Sequence, residues 1–178
     1  MPSAVRRAAV AAATAFVLAV LGRPVVAQGA KVDPCSLLTR AEVQSATGKT
    51  NYQPADRGEP GDGAGGGDPC TYDNVGFNAG PTPPPTVNVV AIAPNQRGRY
   101  VDWYKKQPVR PGCARENVPG LGVEGFLESC QRAPDVRVYM RGRSIDAIIG
   151  IDVNAMGGAA AAKPVVLALA KSVAARIK

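Results

Sequence analysis

The chain has 178 residues, with 21 Lys and Arg against 14 Asp and Glu, a formal net charge of +7, 46% hydrophobic residues and no histidine. The missing imidazole excludes Ser-His-Asp and Cys-His nucleophile activation and every His-containing zinc or haem ligand set. The positive excess is modest and forms no clustered basic stripe, so it speaks for solubility and makes no case for nucleic acid as a partner.

Arg6 and Arg7 precede an unbroken apolar run from Ala8 to Leu21, and Gly22, Arg23 and Pro24 lead to Val25-Val26-Ala27 before Gln28. This is the pattern of a secretory signal peptide over residues 1–27, ending in a small-residue cleavage site. The apolar run of 14 residues is shorter than the roughly 20 that span a bilayer, so no stable membrane span is expected after cleavage. No cysteine follows the cleavage point closely enough to accept a lipid, the first being Cys35. Cutting 27 of the 178 residues leaves 151 and, by removing Arg6, Arg7 and Arg23, takes the charge from +7 to +4. That length predicts one domain over 28–178 with a real core. The expected location is periplasmic or secreted.

Thr39-Arg40-Ala41-Glu42 has the form of a capping box, with Leu38 placed to staple against Val43 and Gly48 placed to stop a helix over about 40–47. Residues 51–68 are dominated by Gly, Pro and Asp and read as a long flexible loop. Cys70 opens a strand through Tyr72 to Phe77, and after the stiff Pro83-Pro84-Pro85 connector a second strand runs from Val87 to Ala93. Asn95 is placed to cap a helix carrying Tyr100, Trp103 and Tyr104 on one face, with Pro108 as its stop. Residues 108–120 read as loop, followed by a strand at Val123 to Glu128. Val136, Val138 and Met140 alternate with Arg137, Tyr139 and Arg141. After a turn at Arg141-Gly142-Arg143, Ile145, Ala147, Ile149, Ile151 and Val153 alternate with more polar positions. This predicts a hairpin with one core-facing side. A last helix is expected to begin near Lys163-Pro164, with Val166, Leu169, Ala170, Val173 and Ile177 as its apolar stripe and Lys171, Arg176 and Lys178 near its C-terminal end. The order predicts an α+β fold, an antiparallel or mixed sheet of about five strands covered by helices as an α/β/α sandwich.

Cys35, Cys70, Cys113 and Cys130 in an exported chain of this size imply a disulfide frame. Three connectivities are open; the sequential one is the expectation, tying the N-terminal segment to the sheet and clamping the 108–120 loop to a strand. With no Cys-x-x-Cys pair and no histidine, a structural role is favoured over a reactive thiol.

The stretch Asp33-Pro34-Cys35-Ser36-Leu37-Leu38-Thr39-Arg40-Ala41-Glu42-Val43 resembles the opening of a group of bacterial exported proteins and lipoproteins of unknown function, whose mature part begins Pro-Cys-x-Leu-Leu-Thr. Cys70-Thr71-Tyr72, the Val118 to Gly122 stretch and the strand-Gly-strand-helix ending are similar to later parts of that group. The resemblance implies a PsbP-like α/β/α sandwich with the first two cysteines bridged, and it carries no catalytic residue.

Several clusters carry candidate chemistry. Asp56, Glu59, Asp62 and Asp68 match no EF-hand spacing and read as solvated loop charge rather than a calcium site. Arg132, Arg137, Arg141 and Arg143 could meet an anionic envelope partner but read first as a solvated, edge-protecting strand face. Tyr100, Trp103 and Tyr104 are the candidate ligand-binding residues, with packing of their helix onto the sheet as the competing role. Asp146 and Asp152 lie roughly 20 Å apart along a strand, too far for a glycosidase carboxylate pair. The expectation is therefore a non-enzymatic exported binding module, without cofactor or metal, whose partner is a small ligand or a cell-envelope component. An envelope structural protein and a histidine-independent hydrolase are the alternatives. Oligomeric state is not legible.

Overall fold

The structure is a computed structural model that describes residues 32–50, 52–55, 69–74, 85–94, 98–133 and 135–177. The signal-like segment, the acidic loop residues Asp56 to Asp68, Phe77 and Asn95 lie outside these residues. The capping box forms as its spacing demands: Thr39 Oγ1 accepts the Glu42 N–H at 3.3 Å and Glu42 Oε2 accepts the Thr39 N–H at 2.8 Å. It opens helix α1 (Arg40–Thr47), which Gly48 closes in the left-handed region at φ 66°. A single 3-10 turn (Pro34–Leu37), capped by Asp33, precedes it.

The strands are β1 (Tyr52–Ala55), β2 (Pro69–Asn74), β3 (Val87–Ile92), β4 (Cys113–Asn117), β5 (Glu124–Cys130), β6 (Asp135–Arg141) and β7 (Asp146–Asp152). They make one seven-stranded sheet in the order β1-β2-β3-β7-β6-β5-β4. Every neighbouring pair is antiparallel. The sheet thus exceeds the expected five strands by its two edges. β1 falls in the stretch read as loop from its Gly and Pro content, and β4 in the stretch 108–120 read the same way. β4 has almost no apolar alternation, because its sequence is Cys-Ala-Arg-Glu-Asn and it lies at an edge.

Helices cover both faces of this sheet, giving the three-layer sandwich. On one face, helix α3 (Ala159–Arg176) places Val166, Leu169, Ala170 and Val173 against Val136, Val138, Met140, Ala147, Ile149 and Ile151, with Val43 of α1 and Leu37 and Leu38 in the same core. α3 starts at Ala159, earlier than expected, because the alanine run before Lys163 is itself a strong helix former. Pro164 therefore lies inside the helix and not at its first residue. On the other face, helix α2 (Tyr100–Lys105) packs Val101 onto Phe126 and Tyr139. The second face of the β6–β7 hairpin is consequently covered where α2 docks, which buries Tyr139, while Arg137 on that face stays exposed. β6 is an interior strand between β5 and β7, so its arginines do not guard an edge.

The turn falls at Gly142 as expected, and the residue is dictated by close approach. A Cβ there would lie 2.0 Å from the Ile177 carbonyl oxygen and 2.7 Å from that of Ile145. The end of the chain closes on the hairpin at this point, with the Arg143 N–H donating to Ile177 O at 3.0 Å.

Two disulfides, Cys35–Cys70 and Cys113–Cys130, follow the sequential pairing and are the mark of an oxidising, extracytoplasmic compartment. The first ties the 3-10 turn to β2 within the core. The second joins directly opposed residues of two adjacent strands, β4 and β5, and not a loop to a strand. No helix among the described residues is long and apolar enough to cross a membrane.

Candidate functional site

Tyr100, Trp103, Tyr104, Phe126 and Tyr139 gather on the α2 face of the sheet together with a row of charged side chains. β-pairing aligns Thr71, Asn88, Gly150, Arg137, Glu128 and Arg115 in a polar row across β2, β3, β7, β6, β5 and β4. The parallel row Val90, Ile148, Tyr139 and Phe126 is apolar, and this is where α2 docks.

At six residues, α2 is too short to persist alone, and side chains of the sheet hold both of its ends. Its N-cap, Arg99, makes no side-chain cap of its own. The missing acceptor comes from β7: Asp146, 1% exposed, takes the Val101 N–H on Oδ2 at 2.9 Å and the Arg99 guanidinium on Oδ1 at 2.7 and 2.9 Å. Arg99 also donates to the carbonyls of Gly142 and Arg143, which locks α2 to the hairpin turn. At the other end, Arg115 Nη1 donates to the carbonyls of Tyr104, Lys105 and Gln107 at 3.2–3.3 Å, a cation placed where a helix leaves carbonyls unpaired.

Glu128 is the anion under this assembly. Its side chain is 3% exposed and accepts from Arg115 at 2.7 and 3.1 Å, from the Tyr104 hydroxyl at 2.8 Å and from Arg110 at 3.2 Å. Burial opposes its ionisation, but the donors from Arg115, Tyr104 and Arg110 outweigh burial and hold its carboxyl below the ordinary range. Arg115 also lies over the rings of Tyr104 and Phe126, 4.9 and 5.1 Å from their centroids. Tyr104, Tyr139 and Phe126 stack beneath it at 4.5–6.2 Å. Burial first, and the neighbouring Tyr104 hydroxyl second, push the Tyr139 phenol far up.

The three aromatics singled out from sequence therefore divide by role. Tyr104 is a packing and hydrogen-bonding element of the Glu128 assembly. Tyr100 is half-buried, packed against the Val101, Phe126 and Tyr139 cluster and stacked on Tyr104 at 5.8 Å, whereas Trp103, 5.7 Å from Tyr100, is 45% exposed. The arginine group divides too. Arg137 pairs with Asp135, and Arg141 with Asp102 at 3.3 Å. Asp146 is the remote cap of α2, a role no spacing along the chain announces.

An open cavity of about 480 Å³ lies where β4 and β5 end together, walled by Arg110, Pro111 and Gly112 on one side and Gln131, Arg132 and Ala133 on the other, with Cys113 and Cys130 between. Gln131 N–H donates to Gly112 O at 2.9 Å and closes the walls against each other. Among the described residues the lining holds two arginines and no acidic side chain. Arg110 is turned toward Glu128, whereas Arg132 makes no hydrogen bond or ion pair among the described residues. Neither Tyr100 nor Trp103 lines this cavity. The three groups Cys113, Glu128 and Cys130 lie within 4.8 Å of one another, but both sulfurs are committed to the disulfide and supply no thiolate for a metal.

No family model matches this chain, and comparison with curated proteins and with solved structures likewise gives no match.

Proposed function

We propose that the chain is an exported, non-enzymatic binding module of the periplasm or the extracellular space, and that it takes an anionic ligand in the cavity at the end of β4 and β5. One observation carries the reading: a cavity of about 480 Å³ whose charged lining residues, among those described, are Arg110 and Arg132, the latter with no counter-charge among the described residues. A volume of this size suits a small molecule or one charged group of a larger envelope component. Guanidinium groups present a planar fork matched to carboxylate and phosphate. The signal-like N-terminus, the two disulfides and the resemblance of the Asp33 to Val43 stretch to exported proteins support the location.

Glu128 and Asp146, the buried carboxylates, are both saturated by structural donors, which supports binding over acid–base chemistry. The test is a thermal-shift series with inorganic phosphate, citrate and glucuronate against glycerol and glucose, on the wild type and on Arg132→Glu. The reading expects stabilisation by at least one anion, none by the neutral compounds, and loss of the effect in the variant. Equal response of the two proteins would overturn it.

A further inference from the structure

We propose that Cys113–Cys130 is an exchangeable disulfide, a redox modification site at which an external dithiol reduces the bridge while the fold stays intact. The two disulfides differ in how much of each bridge is covered: Cys35, like Cys113 and Cys130, is partly exposed, but its partner lies in the core. Cys70 is fully buried in the main core, with the Tyr72 hydroxyl reaching over to the Cys35 carbonyl. Cys113 and Cys130 are both partly exposed, and the bridge between them is open on two sides. It lines the cavity of about 480 Å³ and, behind it, a second of about 260 Å³ that reaches Ala159 of α3. Thiol–disulfide exchange requires an attacking thiolate to reach a sulfur, so access is the first condition, and this bridge meets it.

The second condition is a stabilised leaving group. Arg110 Nη2 lies 3.7 Å from Cys130 Sγ, near enough to hold the charge of a departing Cys130 thiolate. The Glu128 carboxylate also lies within 4.8 Å of both sulfurs, but Arg115 meets its charge at 2.7 and 3.1 Å, so that Arg110 is shared between carboxylate and sulfur. The electrons balance as follows. The reductant's thiolate attacks Cys113 Sγ, the S–S bond breaks, and Cys130 leaves as a thiolate beside Arg110. The reductant's second thiol then attacks the mixed disulfide and releases Cys113. Protein disulfide and dithiol become protein dithiol and oxidised reductant, a transfer of two electrons and two protons.

The third condition is that the strands survive the cut. β4 stays tied to β5 by a five-residue antiparallel ladder and by Arg115 on Glu128, none of which passes through sulfur. The second bridge is therefore dispensable to the register it spans.

The experiment treats the native protein with graded dithiothreitol, and separately with glutathione buffers, then quenches by alkylation and maps the peptides, with far-ultraviolet circular dichroism recorded on the same samples. The expected result is alkylation of Cys113 and Cys130 at reductant levels that leave Cys35–Cys70 closed and the spectrum unchanged. Arg110→Ala is expected to slow the reduction several-fold, and Arg110→Lys, which keeps the charge, to restore most of the rate. Simultaneous reduction of both bridges, reduction only with loss of the spectrum, or an Arg110→Ala rate equal to or above that of the wild type would each overturn the proposal.

Discussion

Removing the Glu128 carboxylate is the sharpest perturbation of the α2 face, because it strands three donors together. In Glu128→Ala the Arg115 guanidinium, only 11% exposed, loses its counter-charge, and the Tyr104 hydroxyl loses its acceptor. Breaking a buried pair from one side costs about 3–5 kcal/mol. Arg115 retains three carbonyls of the α2 end and some solvent access, which places the expected loss near the lower bound, about 3 kcal/mol. For a domain of this size that is roughly 6–12 °C in Tm.

Urea unfolding at pH 7 measures the loss directly, and its pH dependence provides a second reading. Because the folded-state pKa of Glu128 is depressed, its contribution is fully present above the unfolded carboxylate pKa of about 4.5 and disappears as pH falls through the folded value. Glu128→Gln should therefore flatten the acid side of the stability curve. The double variant Glu128→Leu with Arg115→Met, which removes both charges, should lose less than Glu128→Ala alone. A loss under about 1 kcal/mol in the single variant, or a double variant worse than the single, would refute the view of Glu128 as the anion that holds α2 down.

Three further outcomes are expected. Asp146→Ala removes the remote cap and leaves Arg99 without its counter-charge, held by the Gly142 and Arg143 carbonyls alone; near-ultraviolet circular dichroism should lose the Tyr100–Trp103 signal at temperatures where the far-ultraviolet spectrum persists, and an unchanged near-ultraviolet melt would contradict the capping role. Gly142→Ala should destabilise by more than about 1 kcal/mol, since the added methyl meets backbone oxygens that cannot swing aside; chemical denaturation measures it. Tyr72, whose phenol burial first of all pushes up to about 12, keeps its proton in the fold after the unfolded chain has lost it, so stability should fall as pH rises above about 10, and Tyr72→Phe should lessen that fall.

Local signals in the sequence define an element where local chemistry decides the outcome. The Thr39 to Glu42 box and Gly48 delimited α1 to the residue, and alternation located β6 and β7, because capping and pleat depend on neighbours in sequence. β1 and β4 were hidden for the opposite reason. They are edge strands, half relieved of burial, and their Pro, Gly and charged neighbours look like loop. The alternation of β6 also misled at Tyr139, since a period of two cannot tell a solvated face from one covered by a helix placed thirty-odd residues earlier in the chain.

The candidate site was legible only in fragments. The sequence shows Tyr104 as an aromatic, Arg132 as one of several arginines, and the second cysteine pair as a clamp around a loop. What joins them is register: only pairing of β4 with β5 sets Arg115 opposite Glu128 and Cys113 opposite Cys130, and brings Arg110 and Arg132 to the two walls of one cavity. Asp146 illustrates the same limit, as it caps a helix that begins 46 residues before it, Tyr100 being the first residue of α2.

The central claim, that Arg132 and its cavity form the ligand site, is tested most directly by backbone amide chemical-shift mapping of the mature chain, titrated with whichever of phosphate, citrate or glucuronate stabilises it. Saturable shifts confined to Arg110, Gly112, Cys113 and residues 130–133, abolished in Arg132→Glu, are the expected result. Shifts centred on Tyr100 and Trp103, or shifts that survive in Arg132→Glu, would contradict it.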